Sequence, residues 1–433
     1  MGFDEKKFQE IISEFTVNNE RLREIASNFR QDLQIGLRNP DDSSMRMLKS
    51  YVGLPSGKET GEYLALDFGG TNVRVSLIRL DGAGRFEIVK RVGRPLIVEG
   101  EYDYVGKGST REQMFDFIAG LIDETIGGNH EKKFYLGHTF SFPSKQTDLN
   151  NAKLIIWTKE FATAGVEGEV VNDLLVESLK RRGISNVEPV AVINDTVAVL
   201  LSAAYKHEET FIGSIYATGH NTCYLEPSIQ DINGVGSGGM ILNLESGGFM
   251  KLAPNRFDVA YDKISEKPGE QRLEKMVSGR YMGELFGMAL SELLNEQGKS
   301  YGFTSIDMSM IIQDELDNLS RAREIIKEKT SRELELDDLE KVKKLASAIV
   351  IRSARLVAAS FIGIIWQRAG HDKIKPQHIA VDGSVYEKMP LAKENIEKAL
   401  LEIFEDEAVG VRTILDNGGS GLGAAIAAAM AVE

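Results

Sequence analysis

The sequence predicts an α/β protein built as two domains, and three observations carry that prediction. With 433 residues the chain is too long for one ordinary hydrophobic core. Apolar runs of period two alternate along it with apolar residues at helical spacing. A strand–turn–strand element bent at glycine appears after residue 63 and again at 210–226, so a second, related unit starts there.

The elements follow in chain order. Residues 5–36 set Phe8, Ile11, Ile12, Phe15, Leu22 and Ile25 at helical spacing among charged residues, which predicts an amphipathic helix. The stretch GLPSGKETGEY (53–63) is turn chemistry and marks a junction. Period two then holds from 63 to 98, with Asp81-Gly82 as the expected hairpin turn. A helix over 110–126, a strand near 134–140 and a helix over 168–182 follow. VEPVAVIND reads as a buried strand ending in polar residues at 194–195, and TVAVLLSAAY as a helix. After the second hairpin comes a long helical, charged region, 270–370. HIAVDGSVYEKMP (378–390) is a strand and a glycine turn, and DNGGSGLGAAIAAAM is a glycine loop opening an Ala-rich helix.

Composition narrows the class. Apolar content of 42% and charged content of 27% are those of a globular protein. A formal charge of -14 argues against nucleic acid, because a polyanion wants a basic face. The single cysteine, Cys223, excludes an intramolecular disulfide and fits a reducing compartment. The N-terminus MGFDEKKFQE lacks the apolar core of a signal peptide, and Lys6 stands where a myristoylation signal wants Ser or Thr. The longest apolar stretches, such as 356–366, are short of a membrane span. The expectation is a cytoplasmic protein without a membrane partner.

Four glycine turns, at 69–71, 217–219, 383–384 and 418–421, let the backbone approach closely and offer N–H groups to phosphate oxygens. None ends in the Lys-Ser/Thr of a Walker loop, and 69–72 does not open a helix as a dinucleotide fingerprint does. Two of the turns occupy corresponding hairpins, which predicts a nucleotide held between them.

LDFGGTNVRV (66–75) resembles the first phosphate motif of the hexokinases, in the actin-like ATPase superfamily. LGHTFSFPSKQTDLNNAKLIIWTKEF (136–161) is similar to that family's sugar-binding signature. VINDTVA (192–198), ATGHN (217–221), NLESGGF (243–249), PGEQRLEKMVSGRYMGEL (268–285) and VDGSVY (381–386) follow in the family's order. The resemblance covers roughly residues 45–425 and is closest to the eukaryotic-type hexokinases and glucokinases. It implies two actin-like, ribonuclease H-like α/β domains flanking a deep cleft whose closure excludes water. Expected boundaries are an N-terminal helical segment, 1–59, on the large domain; a small domain, 60–195, with the C-terminal helix 420–433; and a large domain, 196–419.

The resemblance also implies the activity: ATP-dependent phosphorylation of a hexose, glucose first, at the 6-hydroxyl, the opening step of glycolysis. Mannose and fructose share the hydroxyls to be read. Asp195 is the expected general base. Ser141, Thr158, Lys159, Asn194, Asp195, Asn221, Glu245 and Glu274 are implied for the hexose, since paired hydrogen bonds distinguish an uncharged sugar. Lys159 and Arg74 add charge at the transferred group. Asp67 is implied for Mg²⁺ through water. Gly69, Gly70, Thr71, Asn72, Thr218 and Gly219 would cradle the phosphates of ATP, with Gly383, Ser384 and Ser420 on the nucleoside side. The sequence departs from the family at Ala217, usually glycine, and at Leu422, often basic. His138 and His220 read as packing or surface residues rather than catalysts, and Cys223 as a small buried one. The oligomeric expectation is a monomer or weak homodimer. The rival reading is a non-catalytic, hexokinase-like sugar sensor, which could lose Asp195 or Lys159; this chain keeps both.

Overall fold

Residues 60–95 form three consecutive antiparallel strands because apolar residues alternate there with period two. A computed structural model describes residues 2–433 except 71, 159, 230–234, 237 and 409. It divides into two compact units, the first Met1–Met47, Ile215–Asn221 and Leu244–Leu415, the second Leu48–Ser214, Thr222–Asn243 and Asp416–Glu433. The helix Asp195–Lys206 and most of the second hairpin fall in the unit that holds the first hairpin.

In the second unit the strands Thr60–Phe68, Asn72–Gly82, Arg85–Pro95, Phe134–Phe140 and Val187–Ile193 form one sheet in the spatial order 3-2-1-4-5. The first three pair antiparallel, while 134–140 runs parallel to both 60–68 and 187–193. Alternation decides the faces. Leu64, Leu66, Phe68, Val73 and Val75 join one apolar cluster with the helices Arg111–Ile126 and Val171–Arg181. Tyr63, Ala65, Ile78 and Leu80 join another with Asp195–Lys206 and Gly419–Val432. A Cβ on Gly137 or Gly423 would intrude on the backbone of Ala424 or Ala198, which is how the last helix comes so close. Thr210–Tyr216, His220–Glu226 and Met240–Asn243 repeat the run of three consecutive strands.

In the first unit the predicted single helix 5–36 is two, Glu5–Glu14 and Asn19–Arg38. The reason is local: Asn18 accepts a hydrogen bond from the Arg21 amide and caps a new helix. The helix Leu336–Ala369 crosses the unit. Its best 18-residue window has a mean hydropathy of 1.9, so by length and composition it could cross a membrane, longer than the sequence suggested. Of that window 89% is buried, as a helix apolar on all sides requires in a core. The strands Gln377–Asp382 and Val411–Leu415 pair in parallel.

One turn shifts. The hairpin of strands Asn72–Gly82 and Arg85–Pro95 bends at Ala83-Gly84 rather than Asp81-Gly82, since Gly82 still pairs with Arg85. Ala83 and Gly84 have φ of 49° and 72°, the two left-handed residues of a two-residue hairpin loop.

Candidate active-site residues

In the second unit the sheet register builds a row. Asp67 stands opposite Arg74 on one side and beside Thr139 on the other, and Thr139 beside Ile193. Asn194 and Asp195 come immediately after that row. The row lies at the carboxyl ends of the parallel strands, where α/β sheets bind ligands. Arg74 reaches Asp67 at 3.6 Å.

Asp195 opens the helix Asp195–Lys206, and Asn194 is its N-cap. The Thr196 amide donates to Asn194 Oδ1 at 2.9 Å and to Asp195 Oδ1 at 2.8 Å; the Thr196 hydroxyl also donates to Asn194 Oδ1, at 2.6 Å. The half-buried Asp195 carboxylate therefore has a fixed orientation at the positive end of a helix. Ser420, half-buried in the same unit, is tied to the row because Thr139 Oγ1 donates to its carbonyl at 2.8 Å.

Ser141 follows the strand 134–140, and its amide donates to the Phe68 carbonyl at 3.3 Å, just before Gly69. Gly70 has no atom within 4 Å of where a Cβ would stand, so that bend is open; Asn72 is exposed beside it. Thr158 follows Trp157, which is packed against Phe142 and Phe161 with its indole N–H donating to the Thr163 carbonyl at 3.0 Å. Thr71 and Lys159 lie outside the described residues.

In the first unit the turn 217–219 is closed by the Ala217 amide donating to the Gly219 carbonyl at 2.9 Å. The carbonyls of Ala217 and Thr218 accept from Gly279 and Arg280, at the start of the helix Gly279–Leu293. Gly383 has φ 128°, and a Cβ there would stand 2.5 Å from the Tyr216 carbonyl and 2.8 Å from Ala217 Cβ. Ala217 thus fills the space against Gly383, and Ser384, exposed, opens the short helix after it.

Three residues implied for the hexose meet here. Asn221 Nδ2 donates to Glu245 Oε1 at 3.3 Å, the Ser246 amide donates to Asn221 Oδ1 at 3.2 Å, and the His220 amide donates to Glu274 Oε1 at 3.3 Å. Glu245 is held at φ 52°, a backbone region costly for a non-glycine residue and concentrated at binding sites. Lys275, beside Glu274, is engaged elsewhere, by Asp262 at 2.5 Å and the Lys267 carbonyl at 2.6 Å. Sequence reasoning missed Thr139, Ser246 and the His220 amide; only register and turn geometry reveal them.

His138 and His220 are buried, and burial lowers both imidazoles to about 4. Each Nδ1 faces an oxygen that only accepts, Asn172 Oδ1 or the Ile215 carbonyl, so each ring carries its proton there. Cys223 is buried with its thiol donating to the Thr196 carbonyl at 3.1 Å, and burial pushes its pKa well up. Leu422 lies in the apolar cluster against the Asp195 helix. A cavity of about 610 Å³ beside Asp314 and Lys343, and one of about 230 Å³ beside Asp258 and Arg272, contain none of the predicted residues.

A crystal structure of a hexokinase superposes with a TM-score of 0.88 at 31% identity, covering 99% of each chain. The hexokinase of Schistosoma mansoni complexed with glucose gives 0.80 at 30% identity, covering 98% of each. The fold is the mixed α/β two-domain fold of the hexokinases. Two family models, both described as hexokinase, match residues 7–205 and 211–430. Hexokinase-1 of Schizosaccharomyces pombe is 33% identical over 97% of this chain and 90% of its own length. Hexokinase-2 of Rattus norvegicus is 34% identical over 98% of this chain, which spans only 48% of that relative. The chain belongs to the hexokinase family.

Proposed function

We propose that this chain transfers the γ-phosphoryl group of ATP to the 6-hydroxyl of a hexose, glucose first, giving hexose 6-phosphate and ADP and opening glycolysis. The observation that carries the reading is Asp195, oriented by its own helix start directly after the row Arg74–Asp67–Thr139–Ile193. Asp195 takes the proton of the 6-hydroxyl as that oxygen attacks phosphorus. Ser141, Thr158, Asn194, Asn221, Glu245 and Glu274 read the remaining hydroxyls. Gly69, Gly70, Asn72, Thr218 and Gly219 offer backbone to phosphate oxygens, Arg74 and Lys159 offer charge, and Gly383, Ser384 and Ser420 serve the nucleoside side.

The donor set fits Mg²⁺ carried by the nucleotide. Asp67 is the carboxylate at the bend, and among the described residues there is no group of three His, Cys, Asp or Glu that could hold a metal. Mg²⁺ keeps its waters and is commonly bound by one or two carboxylates plus phosphates, so Asp67 would hold it through water. When bound it neutralises charge on the β- and γ-phosphate oxygens. We further propose a cytoplasmic monomer or weak homodimer.

The test is ADP release with Mg-ATP and glucose, then mannose and fructose. The proposal expects ADP release that depends on sugar. Glucose binding without ADP formation would favour a sensor, and equal ADP release without sugar would remove the hexose assignment.

A further inference from the structure

In each unit a glycine of the phosphate turn is backed by a side chain assigned to the hexose. A Cβ on Gly69 would stand 2.5 Å from Ser141 Oγ and 2.8 Å from Ser141 Cβ. A Cβ on Gly219 would stand 2.8 Å from Glu274 Oε1. Neither glycine has a left-handed φ, so space, not backbone conformation, is what requires glycine there. Each contact is accompanied by a hydrogen bond involving the residue next to the glycine: the Ser141 amide donates to the Phe68 carbonyl, and the His220 amide donates to Glu274 Oε1, both at 3.3 Å.

We infer that both glycine turns are two-faced coupling elements, cradling phosphate on one face and seating a hexose-reading side chain on the other. The inference rests on the hexose and nucleotide assignments above. Its consequence is reciprocal linkage. A phosphate that orders the turn 217–219 fixes the amide that orients Glu274, and a hexose that fixes Glu274 braces the turn. At 69–70 the seat is steric: the Ser141 side chain packs against Gly69, while its amide ties its backbone to the Phe68 carbonyl. The close approach of a turn glycine to a hexose-assigned side chain recurs in both units, which argues that it serves the reaction rather than local packing.

The substitutions Gly69→Ala and Gly219→Ala test this, with glucose titrated calorimetrically in the absence of nucleotide. Each methyl would displace the sugar-reading oxygen, so the glucose Kd should rise roughly tenfold, the scale of losing one hydrogen bond. An unchanged glucose Kd alongside a raised Kd for Mg-AMP-PNP would overturn the inference, leaving the glycines to phosphate alone. A second arm reads the coupling from the other side and does not depend on the glycine variants folding. Without sugar, Glu274→Gln should keep Mg-AMP-PNP affinity near wild type, because its amide oxygen still accepts from His220. Glu274→Ala should lose affinity several-fold. Wild-type nucleotide affinity in both overturns the coupling. If instead Ser141→Ala and Glu274→Gln leave glucose affinity untouched, the hexose assignment fails, and the inference with it.

Discussion

The ion pair between Asp258 and Arg352 permits a worked prediction, because it anchors the helix Arg256–Ile264 that leads into the segment carrying Glu274. Arg352 Nη1 and Nη2 donate to the two carboxylate oxygens at 2.8 and 2.9 Å, and the side chains are only 2% and 5% exposed. Asp258→Ala removes both bonds and leaves the guanidinium buried without its counter-charge, a loss of about 3–5 kcal/mol. It also deletes the reciprocal cap in which Asp258 accepts from the Asn255 amide at 2.8 Å, about 1 kcal/mol more. The guanidinium stands 4.7 Å from the Phe15 ring in both proteins, so that contact does not enter the difference. The net expectation is a loss of about 4–6 kcal/mol. The assay is urea unfolding followed by circular dichroism, with the stability change taken from the midpoint at constant slope. Asp258→Leu combined with Arg352→Met, which leaves no buried charge, should recover most of the loss. A single substitution costing under about 1 kcal/mol, or a double one no better than the single, would refute the reasoning.

Three further outcomes follow. The buried imidazoles of His138 and His220 have folded pKa values near 4, below the unfolded value, so the unfolded chain binds their protons first as pH falls. Each should contribute stability that is complete above about pH 6.5 and declines toward pH 4, on the order of 3 kcal/mol per histidine; His138→Gln should flatten the curve of unfolding free energy against pH in that window. Gly423→Ala should destabilise by about 1–3 kcal/mol, because its methyl would enter the backbone of Ala198, and a variant as stable as wild type in a thermal melt would contradict the close packing of the last helix. Lys206→Met should cost several kcal/mol in the same melt, since the Asp416 carboxylate it pairs with is buried at 1% exposure.

The sheets were legible because their faces are written in alternation. Leu64 and Leu66 go to one cluster and Tyr63 and Ala65 to the other, as period two demands. The break after Phe15 was signalled by Asn18 followed by Glu20, a cap and an acidic first turn inside an otherwise continuous apolar pattern. The turn at Ala83-Gly84 was masked because alanine at φ 49° carries no turn signature, whereas Asp81-Gly82 does. Much of the site arrives by pairs distant in sequence. Ser141 meets Gly69 across 72 positions and Glu274 meets His220 across 54, and no local pattern encodes either contact. Register places Thr139 beside Asp67, so the row beneath Asp195 exists only once the strands are paired.

The most direct measurement is the turnover of Asp195→Asn beside its glucose affinity. The asparagine keeps the helix start and an oxygen for the Thr196 amide but cannot take a proton at neutral pH. The account predicts kcat for glucose-dependent ADP release falling roughly 10²- to 10⁴-fold, with the glucose Kd changed far less. A variant turning over at the wild-type rate would contradict the assignment of Asp195 as the base on which the proposed reaction rests.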